Sequence, residues 1–138
     1  MLSSDERLEI YVDRSLGQVI VPEALRQLGL TVRTEVSVFG HVPEGVPDAV
    51  WLDRAGKEGW IVFTKDARIR YRVAEISVLA QERVKAFVLS AGNLSAPEQA
   101  QRFVSNINRI RQACHQEGPF VFAVRAHGIE RLWPRDPP

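Results

Sequence analysis

Apolar positions in this chain fall into short continuous runs separated by segments with helical spacing. The first run, Leu8 to Val12, stops abruptly at Asp13, which predicts a buried strand, a turn through Arg14, Ser15 and Gly17, and an aspartate at the strand's carboxyl end. Pro22 then opens a helix through Ala24, Leu25 and Leu28 that Gly29 ends, with a second strand at Leu30 to Arg33. Two Gly and two Pro between Phe39 and Asp48 predict a loop that delivers Asp48 to a helix start. Val50, Trp51 and Ala55 place that helix over 49–58; Gly59 stops it before a strand, Trp60 to Thr64, with Asp66 just beyond.

Val73, Ile76, Leu79 and Ala80 mark another amphipathic helix, and Val84 to Leu89 reads as a strand. Ser95-Ala-Pro-Glu98 is a capping box, behind which Ala100, Phe103, Val104, Ile107, Ile110 and Cys114 form one stripe on a single long helix. After Gly118-Pro119, Phe120 to Arg125 and Ile129 to Trp133 read as an edge hairpin joined at His127-Gly128. Strands alternating with helices imply an α/β fold with a mainly parallel sheet covered on both faces. No internal repeat or interdomain linker interrupts the pattern.

Composition narrows this picture. With 138 residues, 45% of them hydrophobic, the chain can bury one core, so residues 1–133 are read as one domain and 134–138 as a disordered tail. Eighteen Lys and Arg against seventeen Asp and Glu give a net charge of +1, so any grip on nucleic acid must be local. Neither a signal-peptide pattern nor an apolar run of membrane-spanning length is found, which predicts a soluble cytoplasmic protein. Cys114 reads as a small buried hydrophobe, and Trp51 and Trp60 as core or partner-facing aromatics. His41, His115 and His127 are too scattered for a zinc site.

The candidate chemistry lies in Asp13, Asp48 and Asp66. In an open α/β sheet the functional crevice lies beyond the carboxyl ends of the strands, where Asp13 and Asp66 are expected; Asp48 joins them only if the loop from Phe39 folds over. Each aspartate alone reads more readily as a helix N-cap than as a functional group. Together, three carboxylates repel one another unless protonated or neutralised, and a hard divalent cation neutralises them best, which predicts Mg²⁺ or Mn²⁺ and phosphodiester hydrolysis by a metal-activated water. Lys65, Arg68, Arg70 and Arg72, with Arg14, form a flanking basic cluster, although alternating side-chain directions let only part of it face a substrate.

Three segments carry a family resemblance: Ile10-Tyr-Val-Asp13-Arg-Ser-Leu-Gly17, Val46-Pro-Asp48-Ala-Val-Trp51-Leu, and Gly59-Trp-Ile-Val-Phe-Thr-Lys-Asp66-Ala-Arg-Ile-Arg70. In order and spacing they resemble the PIN-like domains of VapC-type toxins from bacterial toxin–antitoxin pairs, and the similarity covers most of the chain. The resemblance implies a single-domain three-layer fold and an Mg²⁺- or Mn²⁺-dependent ribonuclease with Asp13, Asp48 and Asp66 as catalytic metal ligands. It also implies an RNA substrate, a cognate antitoxin and a homodimer; the basic cluster makes Arg14, Lys65, Arg68 and Arg70 the candidate RNA contacts. Such nucleases commonly carry a fourth acid, for which Glu44 and Glu75 are the candidates. Two other readings stay open: a catalytically inactive PIN-like module that binds RNA or protein, and a phospho-accepting signalling domain. Against the second, Asp13 is followed by Arg14 rather than by another acid.

Overall fold

In the computed structural model, which describes residues 8–90 and 92–135, the expected alternation becomes one six-stranded sheet. The strands are β1 (Glu9–Val12), β2 (Thr31–Thr34), β3 (Ile61–Thr64), β4 (Lys85–Leu89), β5 (Phe120–Arg125) and β6 (Gly128–Trp133). Their order is β2-β1-β3-β4-β5-β6; the first five run parallel and β6 closes one edge antiparallel to β5. The helices are α1 (Ile20–Arg26), α2 (Glu35–Phe39), α3 (Asp48–Glu58), α4 (Val73–Gln81), α5 (Ala96–Ser105) and α6 (Ile107–Ala113).

Both faces of the sheet are covered, which explains why its central strands are apolar throughout. Alternate side chains enter separate layers: Ile10, Val12, Phe63 and Phe87 pack with Leu25 of α1, Phe103 of α5 and Ile110 of α6. Tyr11, Val62, Ala86 and Val88 face the other way, toward Trp51 and Leu52 of α3 and Leu79 of α4. Rings dominate each layer. Phe63 stacks on Phe103 with centroids 4.5 Å apart, and Tyr11 stacks on Trp51 at 5.3 Å and on Trp60 at 6.2 Å. Trp51, Trp60 and Cys114 are buried, and Trp133 is partly exposed.

The structure departs from the sequence expectation in four places. The stripe from Ala100 to Cys114 belongs to two helices, because the fully buried Asn106 leaves helical geometry (φ −105°, ψ 6°). Its Nδ2 donates to the carbonyl of Arg102 and to that of Arg125 on β5, both at 2.8 Å, so a side-chain amide replaces the helical ladder at the bend. The short helix α2 was not expected; a capping box in which Thr34 and Ser37 exchange side-chain and backbone bonds starts it directly after β2. Helix α1 starts at Ile20 rather than at Pro22, which sits in its first turn, where a missing amide hydrogen costs nothing. The hairpin turn is Ala126-His127, with Gly128 already in β6. Of the tail expected to be disordered, residues 136–138 lie outside the described residues. No helix among the described residues is long and apolar enough to cross a membrane.

Replacing Asn106 with alanine removes the donor of two part-buried carbonyls at once. Asn106→Ala is expected to cost about 1–3 kcal/mol, two side-chain hydrogen bonds at about 0.5–1.5 kcal/mol each, read as a lower urea midpoint with an unchanged m-value.

Candidate active site

The strand order changes direction at β1, because the chain runs outward from β1 to β2 and then returns across it to β3. Such a switch point opens a crevice at the carboxyl ends of the strands. Asp13 and Asp66 follow β1 and β3 there. The backbone amide of Asp13 donates to the Phe63 carbonyl at 2.9 Å, which extends the β1–β3 pairing to the site itself.

Asp13 is buried, and its Oδ2 accepts from Ser15 Oγ and from Thr64 Oγ1, both at 2.7 Å. These hydroxyls are themselves held: Ser15 Oγ accepts from the Lys65 amide and Thr64 Oγ1 from the Asp66 amide, each at 3.1 Å. Burial pushes the Asp13 carboxyl above its ordinary pKa; the two hydroxyl bonds oppose this, and the charge of Asp48 adds to the rise.

Asp48 is the first residue of α3. The loop before it folds over the crevice because the buried Glu35, at the start of α2, accepts from the Val46 amide at 3.0 Å through Oε1. Gly45 lies so close beneath Arg14 that a Cβ would stand 2.6 Å from its Nη1, and its φ of +81° also favours glycine. Asp48 Oδ1 accepts from Trp51 Nε1 at 3.1 Å and Oδ2 from Arg72 Nη1 at 3.0 Å.

Asp66 caps the 3₁₀ turn Ala67–Arg70, so for this residue the capping role is realised. Its Oδ1 accepts from the Arg68 amide at 3.0 Å and from Arg68 Nε at 3.1 Å, and its Oδ2 from Arg72 Nη2 at 2.7 Å. Partial burial works against ionisation here, but the Arg68 amide and the guanidinium groups of Arg72 and Arg68 outweigh it and hold the carboxyl below its ordinary range.

Asp13, Asp48 and Asp66 thus line one cleft of about 390 Å³, together with Arg14, Ser15, Glu35, Glu44 and Val46. Glu44 is exposed on the cleft wall, whereas Glu75 is buried and reaches the group through Arg72 Nη1, which donates to its Oε1 at 2.8 Å. Hard carboxylate oxygens from separate elements are the donor chemistry that suits Mg²⁺ or Mn²⁺. In the present arrangement, no group of three or more His, Cys, Asp or Glu among the described residues is set to hold a metal ion. The charge shared between Asp48 and Asp66 is met by a guanidinium instead.

Of the basic residues singled out, Lys65 and Arg68 line a shallow cavity that adjoins the cleft through Ser15 and Asp66, and Arg14 lies on the cleft wall, its guanidinium 3.7 Å from Glu35. Arg70 turns its guanidinium over the Tyr71 ring at 4.2 Å. Arg72, grouped with these cations in the sequence, belongs to the acidic cluster. Glu35 was missed altogether; the available signal was an acid directly after β2, ahead of a Gly/Pro loop long enough to fold back on it.

The model of the PIN-like domain family matches residues 8–91, which contain all three aspartates. The chain belongs to this family. A curated relative from Mycobacterium tuberculosis (strain ATCC 25618 / H37Rv), named "Putative ribonuclease VapC45", is 32% identical over 124 residues, which span 89% of this chain and 90% of that protein. No solved structure matches the chain.

The raised pKa of Asp13 has a stability consequence with a definite sign. A carboxyl whose folded pKa lies above its unfolded value favours folding while protonated, and this contribution is lost as pH rises through the folded pKa. Asp13→Asn is therefore expected to raise the melting temperature at pH 7, with the gain shrinking as pH falls toward 4. Thermal unfolding at the two pH values measures the difference.

Proposed function

We propose that this protein is a metal-dependent endoribonuclease, the toxin of a toxin–antitoxin pair, that hydrolyses RNA phosphodiester bonds at the cleft of Asp13, Asp48 and Asp66. The observation that carries this reading is that three aspartates distant in sequence line one cleft at the switch point of a PIN-like chain. The relative's name, a ribonuclease of the VapC series, agrees with it.

In this reading Asp13, Asp48 and Asp66 hold Mg²⁺ or Mn²⁺, with Glu35 and Glu44 on the same wall and Glu75 behind Arg72. When bound, the ion would supply an acidified water and positive charge beside the scissile phosphate. Ser15 and Thr64 fix the Asp13 carboxylate, so that it is pre-positioned rather than recruited. Arg14, Lys65 and Arg68 stand at the cleft mouth, where they can meet an RNA backbone without reading its sequence; Arg70, stacked on Tyr71, contributes less directly. A cognate antitoxin that covers the cleft, a cytoplasmic location and a homodimer complete the proposal.

One observation favours a second reading, a PIN-like module that binds RNA or protein without cutting: Arg72 already neutralises Asp48 and Asp66. Cleavage assays on the purified chain separate the two. RNA cleavage is expected with Mn²⁺ or Mg²⁺ and not with EDTA. Asp66→Asn is expected to lower the rate by at least about 100-fold, the scale seen when a preorganised charge-stabilising group is removed. Expression of the wild type should arrest growth and expression of Asp66→Asn should not; equal toxicity would sink the nuclease reading, and metal-independent cleavage its metal mechanism.

A further inference from the structure

Arg72 lies just ahead of α4 and directs its side chain into the acidic cluster. One planar fork serves three carboxylates: Nη1 donates to Asp48 Oδ2 at 3.0 Å and to Glu75 Oε1 at 2.8 Å, and Nη2 donates to Asp66 Oδ2 at 2.7 Å. The contacts differ in kind. Glu75 is three residues along the same helix, so that pair is local, whereas Asp48 lies 24 residues away on α3. Trp51 donates to the other oxygen of Asp48 and Arg68 to the other oxygen of Asp66, so a second cation at this pair meets carboxylates that already carry donors on both oxygens, Arg72 being the charged donor that Asp48 and Asp66 share. About a third of the Arg72 side chain is exposed (35%), which leaves it a route out of the cluster.

We propose that Arg72 is a tethered counter-cation that competes with the divalent ion for Asp48 and Asp66. Without metal the guanidinium holds the carboxylates together; when the metal enters, it gives up Asp48 and Asp66 and keeps Glu75 as its pivot. The inference rests on the metal-dependent reading of the cleft and adds a control to it. The guanidinium is always charged and its fork matches carboxylates well, so it is a strong internal competitor. The apparent metal affinity is then the intrinsic affinity reduced by the fraction of molecules in which Arg72 has let go. The midpoint of metal occupancy thereby moves to a higher metal concentration, and metal and arginine exchange without leaving the carboxylates unneutralised.

The test is calorimetric titration of the full chain with MnCl₂, comparing wild type with Arg72→Met, which keeps the stem but loses the charge, and Arg72→Lys, which keeps the charge but loses the fork. Arg72→Met is expected to bind Mn²⁺ about tenfold more tightly or better, with Arg72→Lys between it and wild type. The metal-free melting temperature of Arg72→Met should fall and recover with saturating Mn²⁺. In ¹⁵N-labelled wild type, Mg²⁺ should shift the Arg72 Nε–Hε resonance, a readout that survives even if the methionine variant does not fold. Equal or weaker Mn²⁺ binding by the variants, or an Arg72 resonance that Mg²⁺ leaves unmoved while it binds, overturns the gate alone. Absence of Mn²⁺ binding in all three chains overturns the metal reading and the gate with it.

Discussion

The parallel pairing of β1 with β3, in register from Ile10–Ile61 to Val12–Phe63, underlies everything at the cleft. It sets two strand ends side by side with their following residues pointing the same way, across 51 positions of sequence between Asp13 and Thr64. The Thr64 hydroxyl then ties the two ends together by donating to Asp13 and accepting from the Asp66 amide. A shift of β3 by one residue would send Thr64 to the opposite face and leave the buried Asp13 carboxylate without one of its two hydroxyl donors. Burial of Phe63 against Phe103 and of Val62 in the opposite layer specifies the register from both sides.

That register brings like charges together, and the surrounding structure answers them in different ways. Asp13 is answered by hydroxyl dipoles, yet burial still disfavours its ionised form. Asp48 and Asp66 are answered by Arg72, and Glu35 by the Val46 amide with Arg14 nearby. The fully buried Tyr11 hydroxyl has no partner among the described residues, and burial together with the charges of Asp13, Glu35 and Asp48 raises its pKa well above normal. A cluster arranged in this way costs stability, and proteins tolerate such costs mainly where function requires them.

The sheet was legible because each central strand is covered on both faces, so its residues are apolar without alternation and end sharply at polar ones. Asp13 and Asp66 stood out for the same reason, as the first acids after such runs. Asp48 was legible as a helix start, but its approach to the cleft depended on the Phe39–Asp48 loop, and what folds that loop is one bond from Glu35, which no periodicity announces. The apolar stripe likewise ran unbroken through Asn106, because the bend at that residue keeps Phe103, Ile107 and Ile110 on the same core. What sequence could not convey was the direction of a side chain: Arg68 and Arg72 are alike as basic residues, yet the first is largely exposed and the second lies among three acids.

Direction also bears on how a chain with a net charge of +1 could attract a polyanion. Three of the cations around the cleft are already paired: Arg68 is bonded to Asp66, Arg14 lies near Glu35, and Arg72 bridges Asp48, Asp66 and Glu75. Paired in this way these three present little positive field to solvent, and their long-range pull on a polyanion is correspondingly weak. On the proposed reading, an ion bound by the aspartates would take over their neutralisation and release the guanidinium groups toward the cleft mouth. Metal binding and phosphate binding would then favour one another through the same carboxylates, and linkage requires that such a coupling be reciprocal.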